Sequence, residues 1–111
     1  MIGRLWHGWT TRENADAYEQ LLRGRVLPGI ERVKGYEGAH VLRRDAGEEV
    51  EFITITFFRS LDAVRAFAGD EYEMAVVPES ARKLLAHYDA RSVHYQVAIG
   101  GMDGLASRKG K

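Results

Sequence analysis

Val50 to Phe58 reads VEFITITFF, and the fold follows from how this stretch is classed. Its residues are almost all β-branched or aromatic, and the run is too short and too stiff at χ1 for a buried helix. It is the strongest strand signal in the chain. Its two faces are unlike those of a half-solvated strand, which alternates apolar and polar. Ile53, Ile55 and Phe57 share one face, Val50, Phe52 and Phe58 share the other, and Thr54 and Thr56 lie between them.

Upstream, Asp45-Ala46-Gly47-Glu48 supplies turn chemistry, so Tyr36 to Arg44 forms a hairpin with the first stretch. Before it, Thr10-Thr11-Arg12-Glu13 has the form of a capping box, with Thr10 as N-cap. Ala15, Tyr18, Leu21, Leu22 and Val26 then mark one helix face, and Pro28-Gly29 is expected to break or kink that helix. Ile2 to Trp9 reads as the opening strand. Downstream, Ser60 can cap a helix with Leu61, Val64 and Phe67 on one face, and Gly69-Asp70 interrupts it. Tyr72 to Val77 is expected to add a turn or two of helix, and Pro78 to start a further piece whose stripe is Ala81, Leu84, Leu85 and Tyr88. Ser92 to Ala98 closes as the fourth strand. The order βαββαβ is that of an α+β, ferredoxin-like domain with a four-stranded antiparallel sheet and helices on one face. It spans residues 1–98, and the Gly-rich, polar residues 99–111 read as a flexible tail.

Helices on one face leave the other bare, yet both faces of the strands are apolar. Leu5 and Trp9 face one way, Ile2 and Trp6 the other. A second layer is therefore expected, most economically from a second copy in a homodimer. Ile2, Trp6 and Phe52 are the residues expected at that interface.

Composition narrows the function. Sixteen basic residues balance sixteen acidic ones, and the basic excess that nucleic-acid binding uses to displace counterions is missing. The chain has no cysteine, which removes disulfides, thiolate metal sites and cysteine nucleophiles and suits a reducing cytoplasm. No stretch approaches the roughly 20 apolar residues of a membrane span, and Arg4, Trp6 and His7 stand where a signal peptide needs an apolar run. A cytoplasmic protein with neither nucleic acid nor membrane as partner is expected.

The segments RLWHGWT at 4–10, LPGIERVKGYEG at 27–38, VEFITITFFRSLDAVRAFAGDEYEMAVVP at 50–78 and HYDARSVHYQV at 87–97 resemble the antibiotic biosynthesis monooxygenase family. The resemblance implies a dimeric α/β barrel, two such sheets packed together. The family's heme-degrading branch uses an asparagine on strand one, a tryptophan on helix two and a heme-ligating histidine. The matching positions here are His7, Phe67 and Val77, and valine cannot ligate iron, so heme degradation is disfavoured. The family's cofactor-free oxygenases act on phenols, anthrones or quinols whose anions pass an electron to dioxygen. The protein then supplies an apolar pocket, a proton acceptor and oxyanion donors, with no cofactor. By that resemblance the face of His7 and Trp9 looks toward the helices. His7 becomes the candidate catalytic base, and Trp9, Phe67, Tyr72 and His40 the candidate walls around a hydrophobic aromatic ligand. The alternative is a non-catalytic small-molecule-binding or interaction protein on the same scaffold, and a third reading is heme binding without degradation. No metal is expected: His87 ends a helix and His94 begins a strand, too far apart in kind for one site.

Overall fold

The computed structural model describes residues 1–100. The tail expected at 99–111 lies almost wholly outside the described residues. The elements are β1 (Ile2–Thr11), α1 (Arg12–Leu21), a π-helical turn (Leu22–Val26), α2 (Leu27–Glu31), β2 (Tyr36–Ala46), β3 (Glu49–Phe58), α3 (Leu61–Ala68), α4 (Glu79–Arg82), β4 (Leu85–Tyr88) and β5 (Val93–Gln96). All strand pairings are antiparallel, and the helices lie on one side of the sheet, giving the expected α+β, ferredoxin-like fold. Central β1 pairs with β3 along its whole length, and β2 completes that side. The other edge of β1 is shared: β4 pairs with Gly8 to Thr10, and β5 with Ile2 to Leu5. The fourth strand is thus split in two.

Local chemistry explains most boundaries. Gly47, at φ 71°, turns β2 into β3. Ser60 caps α3 by accepting from the Ala63 amide at 3.2 Å, and Gly69, at φ 86°, ends that helix. Gly35, at φ 95°, passes so close to α3 that a Cβ there would sit 2.6 Å from that of Ala63.

Four expectations need correcting. The cap of α1 is Thr11, accepting from Asn14, because β1 pairs through to Thr11; Thr10 is a fully buried strand residue. Pro28 does not stop the first helix. The turn before it widens, with the Leu27 amide reaching Leu22, and Pro28 falls in the first turn of α2, where its missing amide is not needed. Residues 72–77 are not helical: they run along the sheet edge, held by a Met74–Arg91 bridge and by the Ala75 amide on the Ala90 carbonyl. Leu85 and Tyr88 are strand residues, because the later half of β1 presents an open ladder that α4, a single turn, leaves to them.

The core lies between sheet and helices in two clusters. Phe52 meets Tyr18 edge-on at 4.8 Å beside Ala15, Leu22, Val50 and Ala81. Phe58 and Val64, both fully buried, pack with Ile30 and Ala63. Arg43 on β2 ties α1 down through Glu19 at 2.8 Å and Asp16 at 3.1 Å.

The register also corrects the assignment of faces. Phe58, Thr56, Thr54, Phe52 and Val50 stand opposite Ile2, Arg4, Trp6, Gly8 and Thr10, and this is the set beneath the helices. Ile2, Trp6 and Phe52, expected at a subunit interface, therefore face the helices, and Phe52 is fully buried there. Leu5, His7 and Trp9 stand with Glu51, Ile53 and Ile55 on the open face. With large apolar groups on both faces, alternation fixed which residues go together but not which set the helices cover.

Candidate functional site

Between sheet and helices lies a cavity of about 60 Å³, room for about two waters at their liquid volume. Its floor is Arg4 and Trp6 of β1 with Thr54 and Thr56 of β3, and its roof is Tyr18, Leu22, Val26 and Ile30. Phe67, Val77 and Ser92 close the sides. Val26, Ile30, Phe67, Val76 and Pro78 also border an adjoining groove of about 350 Å³, so the cavity opens outward between the π-helical turn and the 76–78 segment. Cavity and groove together reach the scale of a small-molecule site.

The polar groups are few. Arg4 is 4% exposed, and its Nη1 donates to the Tyr72 carbonyl and, at 3.0 Å, to Nε2 of His94. Its Nη2 donates to the Met74 carbonyl at 3.1 Å, and its guanidinium stands 5.6 Å from the Phe67 ring centre. Among the described residues it has no carboxylate partner within ion-pair distance. Burial lowers its pKa to about 10, which leaves it a cation at neutral pH. The Thr54 hydroxyl is buried with no partner among the described residues, although buried polar groups ordinarily find one. Burial pushes the Tyr18 phenol up to about 12, keeping it a neutral donor. Trp6 is fixed by its indole N–H on the Asp89 carbonyl at 2.6 Å. A Cβ on Gly8 would stand 3.0 Å from Leu85 and 3.1 Å from the Trp6 ring, so glycine there lets the indole lie along the strand.

Of the residues expected from sequence to act on or bind a ligand, only Phe67 lines this cavity, and Trp6, expected at a subunit interface, forms part of its floor. Tyr72 lies just outside it, lending its carbonyl to Arg4 and its ring edge-on to His94 at 5.1 Å. His7, Trp9 and His40 lie on the open face. There His7 Nδ1 donates to Glu51 at 2.9 Å, and Arg44 holds the other oxygen of that carboxylate at 2.7 Å. These two hydrogen bonds, Arg44 first, hold the Glu51 carboxyl below its ordinary pKa. Trp9 stacks on His87 at 4.6 Å, and His87 bonds Glu49 at 2.9 Å, so His87 is a strand residue rather than a helix cap. His40 is exposed beside Phe57. Arg4, Thr54 and His94 were missed. The signal for Arg4 was its parity with Trp6, which sets a lone cation on the same strand face as an indole.

A family model described as antibiotic biosynthesis monooxygenase matches residues 1–77. The chain belongs to that family. No curated protein matches it. Among solved structures, the cofactor-independent oxygenase SnoaB of Streptomyces nogalater is similar at 15% identity and TM-score 0.62, over 91% of this chain and 97% of that one. A monooxygenase of Streptomyces coelicolor, solved with nanaomycin D, matches at 15% and 0.62, over 89% and 88%. The heme-degrader MhuD of Mycobacterium tuberculosis, with two hemes in its active site, matches at 18% and 0.59, over 90% and 98%. At these identities the likeness establishes the fold. Of the three positions compared with the heme-degrading branch, Phe67 and Val77 line the cavity and His7 does not. Among the described residues no helix is long and apolar enough to cross a membrane.

Proposed function

We propose that the protein is a cofactor-independent oxygenase for a flat, hydrophobic phenol, anthrone or quinol, working as a homodimer. The observation that carries this reading is Arg4: a desolvated cation without an acidic partner among the described residues, in the wall of an aromatic cavity. Such a group favours an ionised ligand oxygen, because the low local dielectric strengthens the attraction. An anthrone bound as its anion can pass an electron to dioxygen. Recombination at carbon forms a peroxide, which loses water to leave the quinone. The substrate supplies every electron, one oxygen atom stays on the ring, and the other leaves as water. The Thr54 hydroxyl and the Tyr18 phenol are donors for the developing oxyanion, and Phe67 is the ring platform.

Ligand entry on this reading widens the opening between the π-helical turn and the 76–78 segment, since the cavity without its groove is smaller than any anthrone. The second copy packs on the open sheet face, where Leu42 is 52% and Tyr95 57% exposed. His7 then belongs to that interface, and Glu51 and Trp9 hold its ring there. Oxygen consumption with a panel of anthrones and quinols tests the chemistry. Turnover is expected in the wild type and in His7→Ala, and its loss in Arg4→Met. Undiminished turnover in Arg4→Met overturns the reading.

One observation favours a second reading, a binding protein without turnover. The cavity lining contributes hydroxyls, an indole and a guanidinium, but no carboxylate or imidazole to take a proton. Ligand-induced stabilisation with no oxygen uptake on any substrate would support it.

A further inference from the structure

Arg4 ends at a seam. On one side is the cavity, and on the other a surface groove of about 500 Å³ along β5, with Ser92 lining both. His94 lies in the groove wall with its Nε2 on Arg4. A guanidinium can only donate, so Nε2 accepts, the imidazole is neutral and its proton sits on Nδ1. The other groups around it are Tyr72, edge-on, with Glu73 and Arg91 from the groove and Arg65 over the Tyr72 ring at 5.3 Å. Burial first, and the Arg4 charge second, lower the His94 pKa, while Glu73 opposes them.

We propose that His94 is a positioning residue for Arg4: the neutral imidazole holds the guanidinium in the cavity wall, and protonation releases it, so the cavity binds anions at neutral pH and loses them in acid. This rests on reading the cavity as a ligand site. Protonation removes the acceptor lone pair and places two cations at hydrogen-bond distance in a partly desolvated site, where repulsion is weakly screened. Arg4 is then left with the Tyr72 and Met74 carbonyls, both on an irregular segment outside the helices and strands that only the single Met74–Arg91 bridge and the Ala75 amide tie to the sheet edge. The long side chain has solvent within reach through the groove on the far side of the seam.

Nitrogen-15 NMR of the Arg4 side chain reads the hold directly. In the wild type, distinct Nη signals are expected at about pH 8 and an averaged signal at about pH 4.5. His94→Gln keeps an acceptor and cannot charge, so its signals stay distinct at both. His94→Leu averages at both, and if it fails to fold, His94→Gln alone decides. Wild-type signals that do not change with pH overturn the proposal, as does a folded His94→Leu that keeps them distinct. Calorimetry with naphthalene-2-sulfonate, a flat aromatic anion of constant charge, reads the consequence. Wild-type affinity should fall at least about fivefold over the same range, while His94→Gln holds its affinity and Arg4→Met binds weakly throughout. If the NMR behaves as expected but Arg4→Met binds the sulfonate as well as wild type, His94's hold on Arg4 stands and the cavity reading falls.

Discussion

The two faces of this sheet are built from the same kinds of residue and do different work. The helix-covered face sets Trp6, Thr54 and Phe67 around one guanidinium, Arg4, that has no acid partner among the described residues, while Arg43 on the same face is paired with Glu19 and Asp16. The open face sets Leu5, Ile53, Ile55 and Leu42 around two paired groups of charges: His7 and Arg44 on Glu51, and His87 on Glu49. Apolar content does not separate the faces; the buried, unpaired Arg4 does. A buried cation left unpaired costs stability, and a ligand's charge can return it. Paired charges on an exposed apolar face suit, on the proposed homodimer reading, a surface that is exposed until a second copy covers it.

The comparison can be broken most severely on the covered side. Phe52→Ala should cost about 3–5 kcal/mol in urea unfolding, since a fully buried ring is lost beneath α1. A similar cost for Phe57→Ala in a monomer would erase the distinction between the faces. Gly8→Ala should cost about 1–3 kcal/mol by forcing the Trp6 ring and Leu85 aside, with a matching change in indole fluorescence. On the open side, Leu42→Glu should shift the mass in sedimentation from dimer to monomer with less than about 1 kcal/mol change in monomer stability. An unchanged mass would remove that face from the interface.

Acid separates the faces more gently. His94, with its folded pKa below the ordinary 6.5, is protonated first in the unfolded chain. Stability is therefore full above about pH 6.5 and declines as pH falls toward the folded value. Glu51, also depressed, contributes stability above about pH 4.5 that is lost as pH falls through its own folded value. Thermal melts should show two steps: the upper one absent in His94→Gln, the lower one in Glu51→Gln.

The element order was legible because each signal was local. VEFITITFF could only be a strand, Ser60 could only cap, and Gly47 turned the hairpin. What failed was whatever depended on a distant partner. Leu85 to Tyr88 carried a helical stripe but became a strand because β1 had half an edge to fill. His7 looked like a cavity base because the family resemblance turned its face toward the helices, yet the choice between two apolar faces is made by where the helices land. Arg4 attracted no notice because a lone arginine in a strand ordinarily sits in solvent. Its burial depends on carbonyls some 70 residues away, at Tyr72 and Met74.

The π-helical turn at Leu22–Val26 has an arithmetic consequence. A π-turn closes its hydrogen bond over one residue more than an α-turn, so this helix carries one residue that its length does not require. Removing Gly24, whose missing side chain touches nothing, would let the ladder close as an ordinary helix while Tyr18 and Ile30 each keep their own neighbours. The same deletion within α1 would rotate everything beyond it by about 100°. The roof of the cavity thus holds a position where the chain can be shortened by one residue without rotating the helix beyond it, and that position lies beside the mouth.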